Sequence, residues 1–194
     1  MVQWFSNDKN KFLISNLLKG FFYLAILLGL FLLLRQFSSE EQRYAWFGSI
    51  YDDAVLVMGI FVLSEILFGI IPPEVFMLWS LETSLIGSYL PSIGILSVIS
   101  YGAGFFNFNL GKWIKDKKWI SGVRFPRFYK YLGLFEKYGG HLVVVASISP
   151  LPFSAISLLS GMGGLPTKRY LLLSLFRIVR YFVYGIVLIG IDQL

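Results

Sequence analysis

Six apolar runs, at residues 17–34, 54–71, 75–90, 92–111, 141–165 and 170–191, constrain this chain more than any other feature. Pro72-Pro73-Glu74 separates the second run from the third, and Pro150-Leu151-Pro152 divides the fifth. A helix needs about 20 apolar residues to cross the hydrocarbon. Proline removes a backbone donor and clashes with the preceding turn, so each proline pair predicts a broken helix. A break at membrane depth frees backbone groups that lipid cannot satisfy, so both breaks must be covered by protein or line a wet cavity. Composition agrees with a membrane environment. The 194 residues are 56% hydrophobic and 14% charged, with mean hydropathy +0.70, where soluble domains run at about 45–50% and about 25%. The sequence therefore predicts an integral membrane protein with a single membrane domain.

Charge sets the expected topology. The tail over 1–20 carries Lys9, Lys11 and Lys19 against Asp8, whereas 35–53 has Arg35 and Arg43 against Glu40, Glu41, Asp52 and Asp53. Basic side chains concentrate in the stretch from Gly111 to His141, with Lys112, Lys115, Lys117, Lys118, Arg124, Arg127, Lys130 and Lys137 opposed only by Asp116 and Glu136. Trp113, Trp119, Phe125, Phe128 and Tyr129 are interleaved with them. Such a mixture suits a segment in the headgroup layer, its stems and rings dipping inward. Nucleic acid could use the same chemistry, but a short link between membrane segments favours anionic or phosphate-bearing lipid, and no nucleic-acid partner is expected. Because Lys and Arg stay on the cytoplasmic side, the N-terminus and 112–137 are placed inside, 35–53 outside and the C-terminus outside, in a cell inner or plasma membrane.

For this map to close, 54–90 must begin and end outside, and 141–165 must begin and end inside, beside Lys168 and Arg169. Each is then a hairpin with its proline pair at the tip. The first arm of the second hairpin has fewer than ten residues before Pro150, about 15 Å of helix and half the hydrocarbon thickness. That hairpin is re-entrant by length, and the first by symmetry. The expected fold is an all-α polytopic membrane protein with two oppositely oriented re-entrant hairpins, each followed by a transmembrane helix. These form an inverted repeat, the arrangement that places substrate sites in many transporters. The expected division is a basic tail and transmembrane helix over 1–40 and a membrane domain over 41–194. Within the latter come hairpin 54–90, helix 91–111, interfacial segment 112–140, hairpin 141–165 and helix 168–191. The N-terminal run resembles a signal peptide, but it exceeds the 7–15 residues of a signal core and lacks a small-residue cleavage pattern, so it is read as a retained anchor.

Several pieces of the chain, in order, resemble one family. "PPEVFM" is similar to its Pro-Gly-Glu/Asp turn and "NLGK" to its glycine–arginine helix end. "FEKYGG" and "SISPLPFSAISLLSGMGGLPTKRY" follow for the second hairpin and its exit, and "FRIVRYFVYG" closes a short-form core. Over about 54–190 the chain thus resembles the DedA family, also called SNARE-associated or VTT-domain membrane proteins. The resemblance implies two re-entrant hairpins meeting inside the bilayer. It also implies lipid scrambling or flipping of lipid carriers, with proton linkage in bacterial members. Its acidic pair falls on Glu65 and Glu74. The chain departs from the pattern at Pro73, where glycine is usual, and at Ser147 and Phe153, where arginines stand in the family. Arg169, Arg177 and Arg180 are the substitutes available from the last helix.

An ionisable group inside a membrane is a functional hypothesis by default. Glu65 and Glu74 are therefore candidates for a proton or substrate path, against the plainer reading that Glu74 tops a spanning hairpin and meets water. Glu82 reads as a snorkelling or capping residue. Arg177 and Arg180 share a helix face and could pair with the glutamates, hold a lipid phosphate, or anchor at the interface; Arg169 reads as an anchor. Ser147, Ser149 and Ser154, with Ser157 and Ser160, read mainly as close-packing hydroxyls and secondarily as substrate ligands. There is no cysteine, one histidine (His141), no His-Glu-x-x-His and no Gly-x-Ser-x-Gly, so neither catalysis nor a metal or organic cofactor is expected. The expected function is a transporter moving a lipid or lipid-linked phosphate across the bilayer, alone or coupled to protons. The alternatives are a non-transporting scaffold or envelope-assembly factor, and an ion or proton antiporter.

Overall fold

A computed structural model describes residues 52–67, 69–83, 87–115, 138–149 and 151–192, together with residue 135 and scattered helical positions between 14 and 42. Every regular element among them is a helix. Helix α1 is Ala54–Ile66, opened by Asp53, whose carboxylate accepts from the Val55 and Leu56 amides at 3.0 Å, a strong N-cap. It ends in a 6→1 bond from the Gly69 amide to the Ser64 carbonyl (2.7 Å), with Gly69 at φ +66°, where glycine alone adds no strain. Helix α2, Pro73–Thr83, begins on a proline, the residue whose missing amide costs nothing at a helix start. Helix α3 is Tyr89–Lys115, α4 is Gly140–Ile148 and α5 is Phe153–Met162. The last two helices, α6 (Thr167–Ser174) and α7 (Phe176–Asp192), are joined at Leu175, which keeps helical backbone. The Leu171 carbonyl accepts from the Tyr101 and Ser174 hydroxyls, both at 3.1 Å. Side chains inserted into the ladder in this way account for the joint.

Helices α3 and α6–α7 are long and apolar enough to cross a membrane. The segment expected as one helix over 168–191 consists of α6 and α7, near-continuous through Leu175. Helices α1 and α2 have 13 and 11 residues, about 20 Å and 17 Å of length, and α4 and α5 have 9 and 10. All four are too short to cross upright. The first break differs from expectation in detail. It spans 67–72, so Pro73 and Glu74 form the first turn of the returning arm rather than the tip. The described part of that arm runs to Thr83, and Gly87 at φ +106°, short of residue 90, turns the chain into α3.

Two buried clusters share the long helices. Val57, Phe61, Phe76, Met77 and Trp79 of α1 and α2 pack on Ile93 and Leu96 of α3 and on Tyr181, Tyr184 and Leu188 of α7. Leu142, Val143 and Ala146 of α4, with Phe153, Ile156 and Leu159 of α5, pack on Phe108 of α3 and Tyr170 of α6. The α1–α2 pair thus sits against the start of α3 and the end of α7, and the α4–α5 pair against their other halves. Helices α3 and α5 touch backbone to backbone. A Cβ on Gly111 would lie 2.0 Å from the Leu158 carbonyl oxygen, and one on Gly161 2.0 Å from that of Phe108.

Candidate functional site

The broken ends of both helix pairs converge on α7. Glu65, in the last turn of α1, is 1% exposed and Glu74, in the first turn of α2, is 5% exposed; Arg177 and Arg180 are 4% and 7% exposed. Three residues apart on a helix, the arginines share a face, and each takes one glutamate.

Arg177 donates from Nη2 to both Glu65 carboxylate oxygens, at 3.0 and 2.9 Å. Its Nε donates to the Ser100 hydroxyl at 2.5 Å, which in turn donates to Glu65 Oε2 at 2.7 Å. The Tyr181 hydroxyl adds a donor to Oε1 at 3.2 Å. The guanidinium lies over the Phe153 ring, 4.5 Å from its centroid, a cation–π contact that gains strength when water is excluded. Arg180 pairs through Nη2 with Glu74 Oε1, donates from Nη1 to the Ser149 carbonyl at 3.1 Å, and lies 4.9 Å from the Tyr184 ring centroid. Its Nε is buried with no acceptor.

The backbone groups freed by the breaks are also accounted for. Ser64 Oγ receives the Ile71 amide at 2.8 Å and donates to the Ile71 carbonyl, bridging the first break. The carbonyls at the end of α1 are taken by the other elements. Ser154 Oγ donates to the Glu65 carbonyl, and Asn107 Nδ2 donates to that of Ile66 at 3.2 Å. The Ser149 carbonyl, freed by the second break, is held by Arg180. Replacing Ser154 with Ala removes a donor from a buried carbonyl and is expected to cost about 1–2 kcal/mol, read as a lower melting temperature of the purified protein in detergent.

The structure therefore brings Glu65, Glu74, Arg177, Arg180, Ser149 and Ser154 into one buried polar region. Ser147 is not part of it: its hydroxyl back-bonds to the Val143 carbonyl at 2.8 Å, as Ser157 does to Phe153 and Ser160 to Ile156. Pro72 is exposed and Pro73 buried at the first break, and Pro152 precedes α5 at the second. At the far end of α3, Lys112 and Lys115 fill the last turn, Lys112 donating to the Thr167 hydroxyl at 2.5 Å, and Arg169 is exposed. Pro150, Lys117, Lys118, Arg124, Arg127 and Lys130, and most of the expected N-terminal transmembrane helix, lie outside the described residues. Sequence reasoning missed Ser100, Asn107 and Tyr181. Spacing puts Ser100 and Asn107 two turns apart on one helix face and Tyr181 one turn from Arg177, but it does not name the groups opposite them. Among the described residues no three His, Asp or Glu side chains gather as a metal site requires.

Comparison of the chain with known families, with curated proteins and with solved structures finds no match.

Proposed function

We propose that the chain is a membrane transporter of DedA type, moving a lipid or lipid-linked phosphate between leaflets. The observation that carries the proposal is the pair of buried glutamate–arginine bridges joining two sets of broken short helices to one long one. Charges at membrane depth are costly, and where they are kept they mark substrate, ion or proton pathways. Broken helices opposed across a membrane domain are the usual construction of a transporter site. In this reading α1–α2 and α4–α5 are re-entrant hairpins entering from opposite faces. Their packing against opposite halves of α3 and α6–α7 supports that inverted arrangement, as do arms shorter than the hydrocarbon is thick. In this reading Arg177, from the last helix, brings a guanidinium onto the ring of Phe153, the position where the resembled family has an arginine. The basic segment after α3 faces the cytoplasm and contacts anionic lipid, which puts the protein in a cell inner or plasma membrane.

Mechanistically, a buried arginine offers a charge-matched stop for a phosphate inside the bilayer, and its glutamate partner compensates it when no cargo is present. The polar backbone at the two breaks supplies a path that hydrocarbon alone would close. The test is reconstitution: vesicles containing the purified protein should expose an inner-leaflet fluorescent phospholipid to an external quencher faster than empty vesicles. Equal rates for a panel of phosphate-bearing lipids would contradict the proposal.

A further inference from the structure

We infer that the two ion pairs have different tasks: Glu65–Arg177 is a fixed strut, whereas the Nε–Nη2 edge of Arg180 is a phosphate-binding site that Glu74 half-fills in the absence of ligand. The inference rests on the proposed transport function for its place in a pathway, but the binding it describes needs no transport.

A guanidinium presents Nε–H and one Nη2 proton side by side, a fork that matches two oxygens of a carboxylate or phosphate. At Arg177 this fork is fully engaged. Nη2 takes the carboxylate, Nε takes Ser100, and Ser100 closes the ring by donating to the same carboxylate. Tyr181 completes Glu65, and Ser154 holds the backbone carbonyl of that residue. An anion entering here would have to displace both the Glu65 carboxylate and the Ser100 hydroxyl from the guanidinium.

At Arg180 the same fork is half-used. Nη2 engages a single oxygen of Glu74, and Nε, on a side chain 7% exposed, has no acceptor. The third nitrogen, Nη1, is committed to the Ser149 carbonyl at the second helix break. A buried charged donor left without an acceptor is an unmet demand. A phosphate group, with several terminal oxygens spaced for a fork, can take Nε and Nη2 together while Nη1 keeps its backbone partner. Glu74 stands in the first turn of α2, where exposed amides and the helix dipole favour an anion. The released carboxylate thus keeps a favourable position beside the bound ligand. It then acts as an internal competitor that evicts the phosphate, as a site that must release its cargo requires.

The experiment is a thermal melt of the full chain in detergent, followed by tryptophan fluorescence. The probes are inorganic phosphate, with sodium chloride at matched ionic strength as control, and a short-chain phosphatidic acid against the diacylglycerol of the same chains. Glu74→Gln leaves Arg180 uncompensated. It is expected to melt below wild type and to be restored by a phosphate probe at lower concentration than wild type needs for any shift. Arg180→Lys, which loses the fork but keeps the charge, should weaken that response about tenfold or more. Glu65→Gln should also melt lower, with no phosphate rescue beyond that of wild type. If Glu74→Gln fails to fold, Glu74→Asp, whose shorter arm releases Nη2, should show the same rescue. A response to inorganic phosphate identifies a free-phosphate site, and a response to phosphatidic acid alone identifies a headgroup site; each supports the inference. It is overturned if neither probe restores Glu74→Gln or Glu74→Asp, if Glu65→Gln is rescued equally, or if Arg180→Lys responds like wild type. Because no bilayer is involved, a failure of lipid flipping in vesicles leaves this result standing, and a failure here leaves flipping to be judged separately.

Discussion

Arg177→Met, made alone, is expected to destabilise the protein by about 3–5 kcal/mol, because it strands a carboxylate in a region from which water is excluded. Glu65 would keep the Ser100 and Tyr181 hydroxyls as donors, but two neutral hydroxyls do not replace a guanidinium that touches both oxygens. Arg177 also contributes its contact with Phe153, and its aliphatic stem is retained in methionine, so the loss reports mainly the charge. The double variant Glu65→Gln with Arg177→Met removes both charges, and replacing a whole buried pair is often close to neutral. It should therefore recover much of the stability that the single change loses. Melting temperature and the monodisperse fraction after detergent extraction check both parts. An Arg177→Met protein that melts with wild type would contradict the strut.

Gly161→Leu is the second large effect expected, with loss of a properly folded protein. Even the Cβ of Ala at this position would lie 2.0 Å from the Phe108 carbonyl oxygen and 2.9 Å from the Lys112 amide nitrogen, both backbone atoms of α3. A rotamer change cannot relieve such a clash, so the helices must separate. Overpacking with movable side chains costs about 1–3 kcal/mol, and a backbone obstacle should exceed that range. Membrane helices lack a hydrophobic drive to associate, so separating them removes the close packing that holds them. Gly102, on the same helix α3 with nothing within 4 Å of its would-be Cβ, is the control. Gly102→Ala should be neutral or should stabilise, since alanine is the better helix residue. Comparable losses at Gly102 and Gly161 would show that the α3–α5 contact is not what holds the halves together.

Much of this architecture was legible from residues that a membrane penalises. Pro72-Pro73 and the Pro150–Pro152 pair marked both breaks because proline cannot continue a helix, whatever surrounds it. The spacing of Arg177 and Arg180 placed them on one face, and their burial against acidic partners was among the open readings. Helix ends were less legible. Hydropathy carried the second arm to residue 90, since Leu85, Ile86 and Leu90 are apolar; the chain turns earlier, at Gly87, whose backbone conformation no count of apolarity reveals. Conversely, α3 starts at Tyr89, ahead of Pro91, because proline is tolerated in a first turn. Which glutamate meets which arginine was not readable, because it depends on how far each short arm reaches along α7. The roles of Ser100 and Asn107 were hidden for a related reason: in an apolar helix, a single serine or asparagine gives no hint of the carboxylate or carbonyl opposite it.

In the proposed mechanism a phosphate-bearing lipid crosses the bilayer through the polar region where Glu74 meets Arg180. The most direct measurement is the rate at which a fluorescent phospholipid becomes accessible to an external quencher in vesicles containing wild-type protein or Glu74→Gln, matched for amount and for folded fraction. Exposure should be rapid with wild type and indistinguishable from empty vesicles with Glu74→Gln, because a cargo no longer evicted from Arg180 blocks its own path. Wild-type rates from a folded Glu74→Gln protein would contradict it.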